Sequence, residues 1–176
     1  MITSSIAEAA QLLKQGQVLA YPTEAVWGLG CDPLNQHAFQ EILELKQRPI
    51  EKGVILLAGQ LEHVEHLLQT LTPEIRKQVI ASWSDREPTE RATTWLLPAD
   101  QHIPTWIKGQ HPLVAVRVTT HPLCVDLCDA FGGFIVSTSA NPAGLNPAHN
   151  LQAAQSYFGS SLHYLEGHLG LSQEPS

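Results

Sequence analysis

The chain has 176 residues, 43% hydrophobic and 15% charged, which excludes a disordered polymer and fits one domain burying roughly 70% of its unfolded surface. Its formal net charge of −7, from 10 Lys+Arg against 17 Asp+Glu, excludes broad sequence-independent nucleic-acid binding but leaves room for a local basic patch. The start Met1-Ile2-Thr3-Ser4-Ser5 carries no basic region ahead of an apolar stretch, and no apolar run approaches the ~20 residues of a membrane span, so a cytoplasmic protein without membrane contact is expected.

Ile6, Ala9, Ala10, Leu12 and Leu13 recur at helical spacing behind a Ser/Thr-rich start able to cap them, and Gly16 ends that helix. Val18-Leu19-Ala20-Tyr21 reads as a strand stopped by Pro22. Gly28-Leu29-Gly30 runs into Cys31-Asp32-Pro33, where a dinucleotide fold needs a third glycine and a helix start; these glycines instead serve turn geometry or close backbone packing. Residues 36–46, with Phe39, Ile42, Leu43 and Leu45, form a second helix that delivers Lys46 at its C-terminal end, where a cation suits the helix dipole. Residues 54–57 are a buried strand, and helical patterns follow near 61–69 and 73–82. His63 and His66, beside Glu62 and Glu65, are either a weak metal-binding face or a solvated one; no third ligand is placed by the sequence, and no metal site is predicted. Residues 83–94 are charged, broken by Pro88 and aperiodic, which predicts an exposed, mobile loop. Strands follow at 95–97 and 114–118, then a helix over 121–130 ended by Gly132-Gly133. Its Cys124 and Cys128 read as reduced, half-buried core thiols, because no CxxC or Cys/His spacing accompanies them. A strand at 134–136, a helix at 151–158 and a strand at 162–165 complete the pattern. Strands alternating with helices predict an α/β fold: a single domain over 1–176, with a twisted mixed sheet and flanking helices.

Two segments carry the chemistry. Lys46, Arg48 and Lys52 place three of the ten Lys and Arg residues within seven positions, pinned by Pro49 and Gly53. The self-repulsion of such a cluster is offset by an anion, most simply a polyphosphate. Ser137-Thr138-Ser139-Ala140-Asn141 follows an apolar run with Ser137 and Ser139 on one side of the strand, so cations and short polar groups make a phosphate cradle without a P-loop. Tyr21-Pro22-Thr23-Glu24 is either a plain strand-to-turn transition or a set of hydrogen-bonding groups offered at a sheet end, where open α/β sheets bind ligands. Arg117, inside Val114-Ala115-Val116-Arg117-Val118, either faces outward from an edge strand or has an anionic partner or a wet cleft.

Taken together, Tyr21-Pro22-Thr23-Glu24, Lys46-Gln47-Arg48-Pro49, Ala115-Val116-Arg117-Val118 and Ser137-Thr138-Ser139-Ala140-Asn141 resemble the YrdC/Sua5 family, in order and from the first helix to about residue 170. The resemblance implies a concave, positively charged cavity and synthesis of L-threonylcarbamoyl-AMP from L-threonine, bicarbonate and ATP with release of pyrophosphate, an adenylate that partner proteins transfer to tRNA. Lys46 and Arg48 match the family's KxR pair and would be catalytic, holding ATP phosphates with Lys52 as a third contact. Ser137, Ser139 and Asn141 would bind the nucleotide, Tyr21, Thr23 and Arg117 would line a threonine pocket, and Mg2+ would enter bound through phosphates. Weak direct tRNA contact is also implied. Where the family has a short Trp-Pro-Gly-Pro-x-Thr turn, this chain has the longer segment from Trp83 to Thr94, and the family continues with a further strand after a pair like Pro175-Ser176. Two other readings of the same fold are a non-catalytic RNA-binding or ribosome-maturation factor and a carbamoyl-adenylate domain like that of hydrogenase maturation proteins. The acidic charge and the lack of zinc motifs weigh against them.

Overall fold

In the computed structural model, which describes residues 1–47, 54–172 and 174–176, the Ser5 hydroxyl accepts from the Glu8 N–H and starts α1 (Ile6–Lys14), as its capping chemistry predicts. Among the described residues eight strands form one mixed sheet: β1 (Ile2–Thr3), β2 (Leu19–Pro22), β3 (Trp27–Cys31), β4 (Ile55–Ala58), β5 (Trp95–Pro98), β6 (Leu113–Val118), β7 (Ile135–Ser139) and β8 (His163–Leu165). They lie in the order β1-β8-β2-β3-β7-β4-β6-β5. The pairs β1/β8, β8/β2 and β4/β6 are parallel; the rest are antiparallel. The other α-helices among the described residues are α2 (Gln36–Lys46), α3 (Glu65–Leu68), α4 (Pro73–Ser84), α5 (Thr105–Lys108), α6 (Pro122–Phe131) and α7 (Leu151–Phe158).

Several expectations are corrected. Pro22 closes β2 as its last residue, opposite Trp27, rather than stopping the strand short of itself; a strand end needs no N–H there. The segment around Gly28 and Gly30 is itself a strand, β3, and close packing explains its glycines: a Cβ on Gly30 would stand 2.6 Å from the Val136 carbonyl and 2.8 Å from the Tyr21 ring. The pattern near 61–69 divides into a 3-10 turn (Leu61–Val64) and the short α3. Trp83 and Ser84 finish α4, and the segment after them is not simply exposed: Ala92 is buried and the Arg86 side chain is only 5% accessible. Trp83 is buried too, its indole N–H donating to the Thr93 carbonyl at 2.9 Å. Cys124 and Cys128 are fully buried, not half-buried, and with Cys31 they are free thiols.

The two faces of the sheet are covered unequally. One packs Trp27, Leu29, Leu56, Val116 and Val136 against Phe39 and Ile42 of α2, Val79 and Trp83 of α4, and Phe158 of α7. The other packs Leu19, Tyr21, Leu57 and Ile135 against α1 and α6 through Leu13, Cys124, Leu127 and Cys128. Strand alternation puts Ile55, Ala115, Arg117 and Ser137 on that second face as well. The pairing lines Gly30, Ser137, Ile55, Ala115 and Leu96 into one row across five strands. The buried contacts of α1 and α6 include Leu57 and Ile135 of the neighbouring row but none of these five, and here the face opens into a cavity. No described helix is long and apolar enough to cross a membrane.

Candidate active site

The cavity holds about 480 Å³, within the range of small-molecule sites, and its floor is the row just described, with Ser137, Ile55, Ala115 and Leu96 exposed to it. Gly28 and Ser139, paired across β3 and β7, extend the floor, and the turn after β2 supplies Thr23 and Glu24 at one side. Small residues at Gly28, Ala115 and Ser137 leave the space that larger side chains would fill.

Arg117 is the cavity's cation among the described lining residues. It is buried, its Nη1 donates to the Ser176 hydroxyl at 2.9 Å, and its Nη2 stands 3.4 Å from Glu24 Oε2. Its Nε is buried with no hydrogen-bond partner among the described residues. Of the two expectations for Arg117, the anionic partner in a cleft is the one realised. Glu24 is likewise buried: Oε1 accepts from the Thr119 hydroxyl at 2.7 Å, and Arg86 Nη2 lies 3.8 Å from it. Burial pushes the Glu24 carboxyl up, but the Arg117 charge and the Thr119 hydrogen bond outweigh burial and hold it below the ordinary carboxylate range. Thr119 also accepts from the His121 N–H at 3.1 Å, and burial holds the His121 imidazole below its usual range, favouring the neutral ring whose Nε2 donates to the His168 carbonyl at 3.0 Å.

The other residues singled out from the sequence distribute as follows. Thr23 lines the cavity while its hydroxyl donates to the Val26 carbonyl at 2.7 Å, turning the chain from β2 into β3. Tyr21 does not reach the cavity; it is fully buried beneath it, and its hydroxyl donates to Ser137 Oγ at 2.9 Å, which fixes the Ser137 rotamer. Ser137 and Ser139 both line the cavity. Asn141, just past β7, accepts through Oδ1 from Ser139 Oγ at 2.6 Å. Lys46 comes from the last turn of α2 and is buried at the same place: Nζ donates to the Ser139 carbonyl and, at 3.0 Å, to the Asn141 carbonyl. The α2 C-terminus and the end of β7 thus form one polar cluster. Arg48 and Lys52 lie outside the described residues. Glu24 and Arg86 are the site residues that sequence reasoning left out of the site; the signal for a buried carboxylate was Arg117 itself, since an arginine in an apolar strand requires a counter-charge.

The segment from Arg86 to Thr94 and the stretch 174–176 meet at the cavity rim. Arg91 Nε donates to the Pro175 carbonyl at 2.6 Å, Thr94 donates to the Ser176 hydroxyl at 2.7 Å, and Glu174, Pro175 and Ser176 line the opening.

Comparison with known proteins agrees with this architecture. A threonylcarbamoyl-AMP synthase of Acinetobacter baumannii is 72% identical over 176 residues, covering 100% of this chain and 93% of its own. One of Saccharophagus degradans is 46% identical over 172 residues, 97% of this chain and 87% of its own. A crystal structure of P. abyssi Sua5 complexed with L-threonine superposes with a TM-score of 0.79 at 27% identity, covering 93% of this chain and 47% of that longer one. The profile of the Sua5/YciO/YrdC family, described as telomere recombination, matches residues 11–176, and the chain belongs to that family.

Proposed function

We propose that this chain is an L-threonylcarbamoyl-AMP synthase, an adenylyl-transferring enzyme that makes the precursor of N6-threonylcarbamoyladenosine in tRNA. The observation that carries the reading is Arg117, buried in an apolar strand with its Nε unpartnered among the described residues, facing a cavity that Ser139 also lines, with Asn141 and Lys46 hydrogen-bonded to Ser139. Arg117, paired with Glu24 but with its Nε open, and a polar cluster that includes Lys46 suit two anionic substrates brought together. The names of the relatives and the threonine-bound neighbour support the same conclusion.

Threonine's amine and CO2, from bicarbonate, give a carbamate. Its oxygen attacks the α-phosphorus of ATP, the bond to the β-phosphate oxygen breaks, and pyrophosphate leaves with the electron pair. Two anions must approach, so the protein's work is charge neutralisation and alignment, without a covalent nucleophile. Arg117 holds the threonine carboxylate, with Thr23 beside it and Tyr21 acting from below by fixing Ser137. Lys46, Arg48 and Lys52 take the ATP phosphates, and Ser137, Ser139 and Asn141 the nucleotide. Among the described lining residues both carboxylates are paired, Glu24 with Arg117, Arg86 and Thr119 and Glu174 with Arg91, so they form no carboxylate cage. That fits magnesium carried on the phosphates and water, which supplies further neutralisation when present. The product passes to proteins that transfer the threonylcarbamoyl group to tRNA, in the cytoplasm.

The test is pyrophosphate release from ATP and bicarbonate with and without L-threonine, with mass spectrometry of the adenylate. Threonine-dependent release is expected, with Arg48→Ala losing turnover and Arg117→Ala raising KM for threonine at least tenfold. Release indifferent to threonine would refute the reading, and an Arg48→Ala effect confined to salt-sensitive RNA affinity would favour a binding factor.

A further inference from the structure

We propose that His66, Asp100 and His102 form a binding site for one divalent transition-metal ion of the zinc type. His66 comes from α3, whereas Asp100 and His102 come from the loop after β5, and none of the three lines the cavity. Their ligand atoms all lie within 4.8 Å of one another. Both rings face the same carboxylate oxygen: Asp100 Oδ2 stands 3.6 Å from His66 Nε2 and 3.3 Å from His102 Nδ1. Metal–nitrogen and metal–oxygen bonds of about 2.0–2.1 Å in a tetrahedral shell separate adjacent ligand atoms by about 3.3–3.4 Å, so those two edges need only a few tenths of an ångström of adjustment.

The surroundings hold the ligands in place. The His102 backbone N–H donates to Asp100 Oδ1 at 2.8 Å, and the His102 ring Nδ1 makes a hydrogen-bond contact with Oδ2 at 3.3 Å, which a bound ion would replace. Phe134 stacks against His66 with ring centroids 6.0 Å apart, and the two imidazoles meet edge to face at 5.6 Å. His66 Nε2 is a buried atom with no hydrogen-bond partner among the described residues, although the side chain as a whole is 30% exposed, and an unpartnered buried polar atom costs free energy that a bound ion would offset. Two imidazoles and one carboxylate are a donor set for zinc and its first-row neighbours, not for magnesium or calcium, which prefer oxygen. His63, one turn before His66, faces Asp129 at 3.6 Å instead and serves as a control. A bound ion ties α3 to the β5–α5 connection and so stabilises the β5 edge of the sheet.

The experiment is calorimetric titration of tag-free, EDTA-treated full chain with Zn2+, alongside thermal unfolding with and without the ion. One equivalent is expected to bind and raise Tm, in the wild type and in His63→Ala alike. His102→Ala and Asp100→Asn should weaken binding by roughly tenfold or more and abolish the Tm shift. His102 is 65% exposed, so its alanine variant keeps the metal-free Tm and separates lost binding from lost folding. No saturable one-to-one binding, or binding unchanged in His102→Ala, overturns the proposal.

Discussion

At Glu24 the carboxylate oxygens divide their partners: Oε1 accepts the Thr119 hydroxyl, while Oε2 lies within ion-pair reach of Arg117 without a hydrogen bond. Both members are buried, so removing either leaves a charge that water cannot solvate. Glu24→Gln is expected to lower stability at pH 7 by about 3 kcal/mol, read from urea denaturation at constant m-value. Because the folded carboxyl titrates below its unfolded value of about 4.3, its contribution is present above that pH and disappears as pH falls through the folded value. The gap between wild type and Glu24→Gln should therefore close under acid conditions; a gap independent of pH would mean that the loss is one of packing rather than charge.

Among the elements, β3 sets the distance between β2 and β7. Its glycines bring the Tyr21 ring under Ser137, and a Cβ at Gly30 would collide with backbone at Val136 as well as with that ring. Gly30→Ala is expected to cost about 1–3 kcal/mol by overpacking and to disturb the Tyr21–Ser137 hydrogen bond, displacing the cavity floor. Its signature is a lower urea midpoint together with a raised KM, whereas Gly133→Ala, with no described atom within 4 Å of the added Cβ, should leave both unchanged. The alternation of β7 was legible in Ser137 and Ser139, and so was α2 with Lys46 at its end. That β3 is a strand was not, because two glycines carry no hydrophobic period and only the pairing with β2 and β7 makes them one.

For the molecule as a whole, stability should fall on the acid side in two stages. Burial holds His121 and His163 below their ordinary value, so both fold as neutral rings; their contribution is complete above the unfolded value of about 6.5 and is lost as pH falls through the folded ones. Glu24 follows at lower pH. Thermal unfolding at pH 7.5 should therefore give a higher Tm than at pH 5.5, and His121→Asn should flatten that first decline; a decline untouched by the substitution would place its origin elsewhere.

Local chemistry was enough to determine the α/β class, most of the helices and strands, the Ser/Thr-rich start that caps α1, and the polar character of Lys46 and of residues 137–141. These follow from periodicity, charge clustering and backbone preference, which act over a few residues. Tertiary structure alone decided that Arg117 meets Glu24, that Tyr21 supports Ser137 rather than lining the cavity, that Lys46 reaches Ser139 and Asn141, and that His66 finds Asp100 and His102 instead of His63. Each of those pairings joins residues distant in sequence. The first three are set by the strand order β2-β3-β7-β4-β6 and by which face each strand buries, and the last by where α3 lies against the loop after β5, quantities that no local pattern encodes.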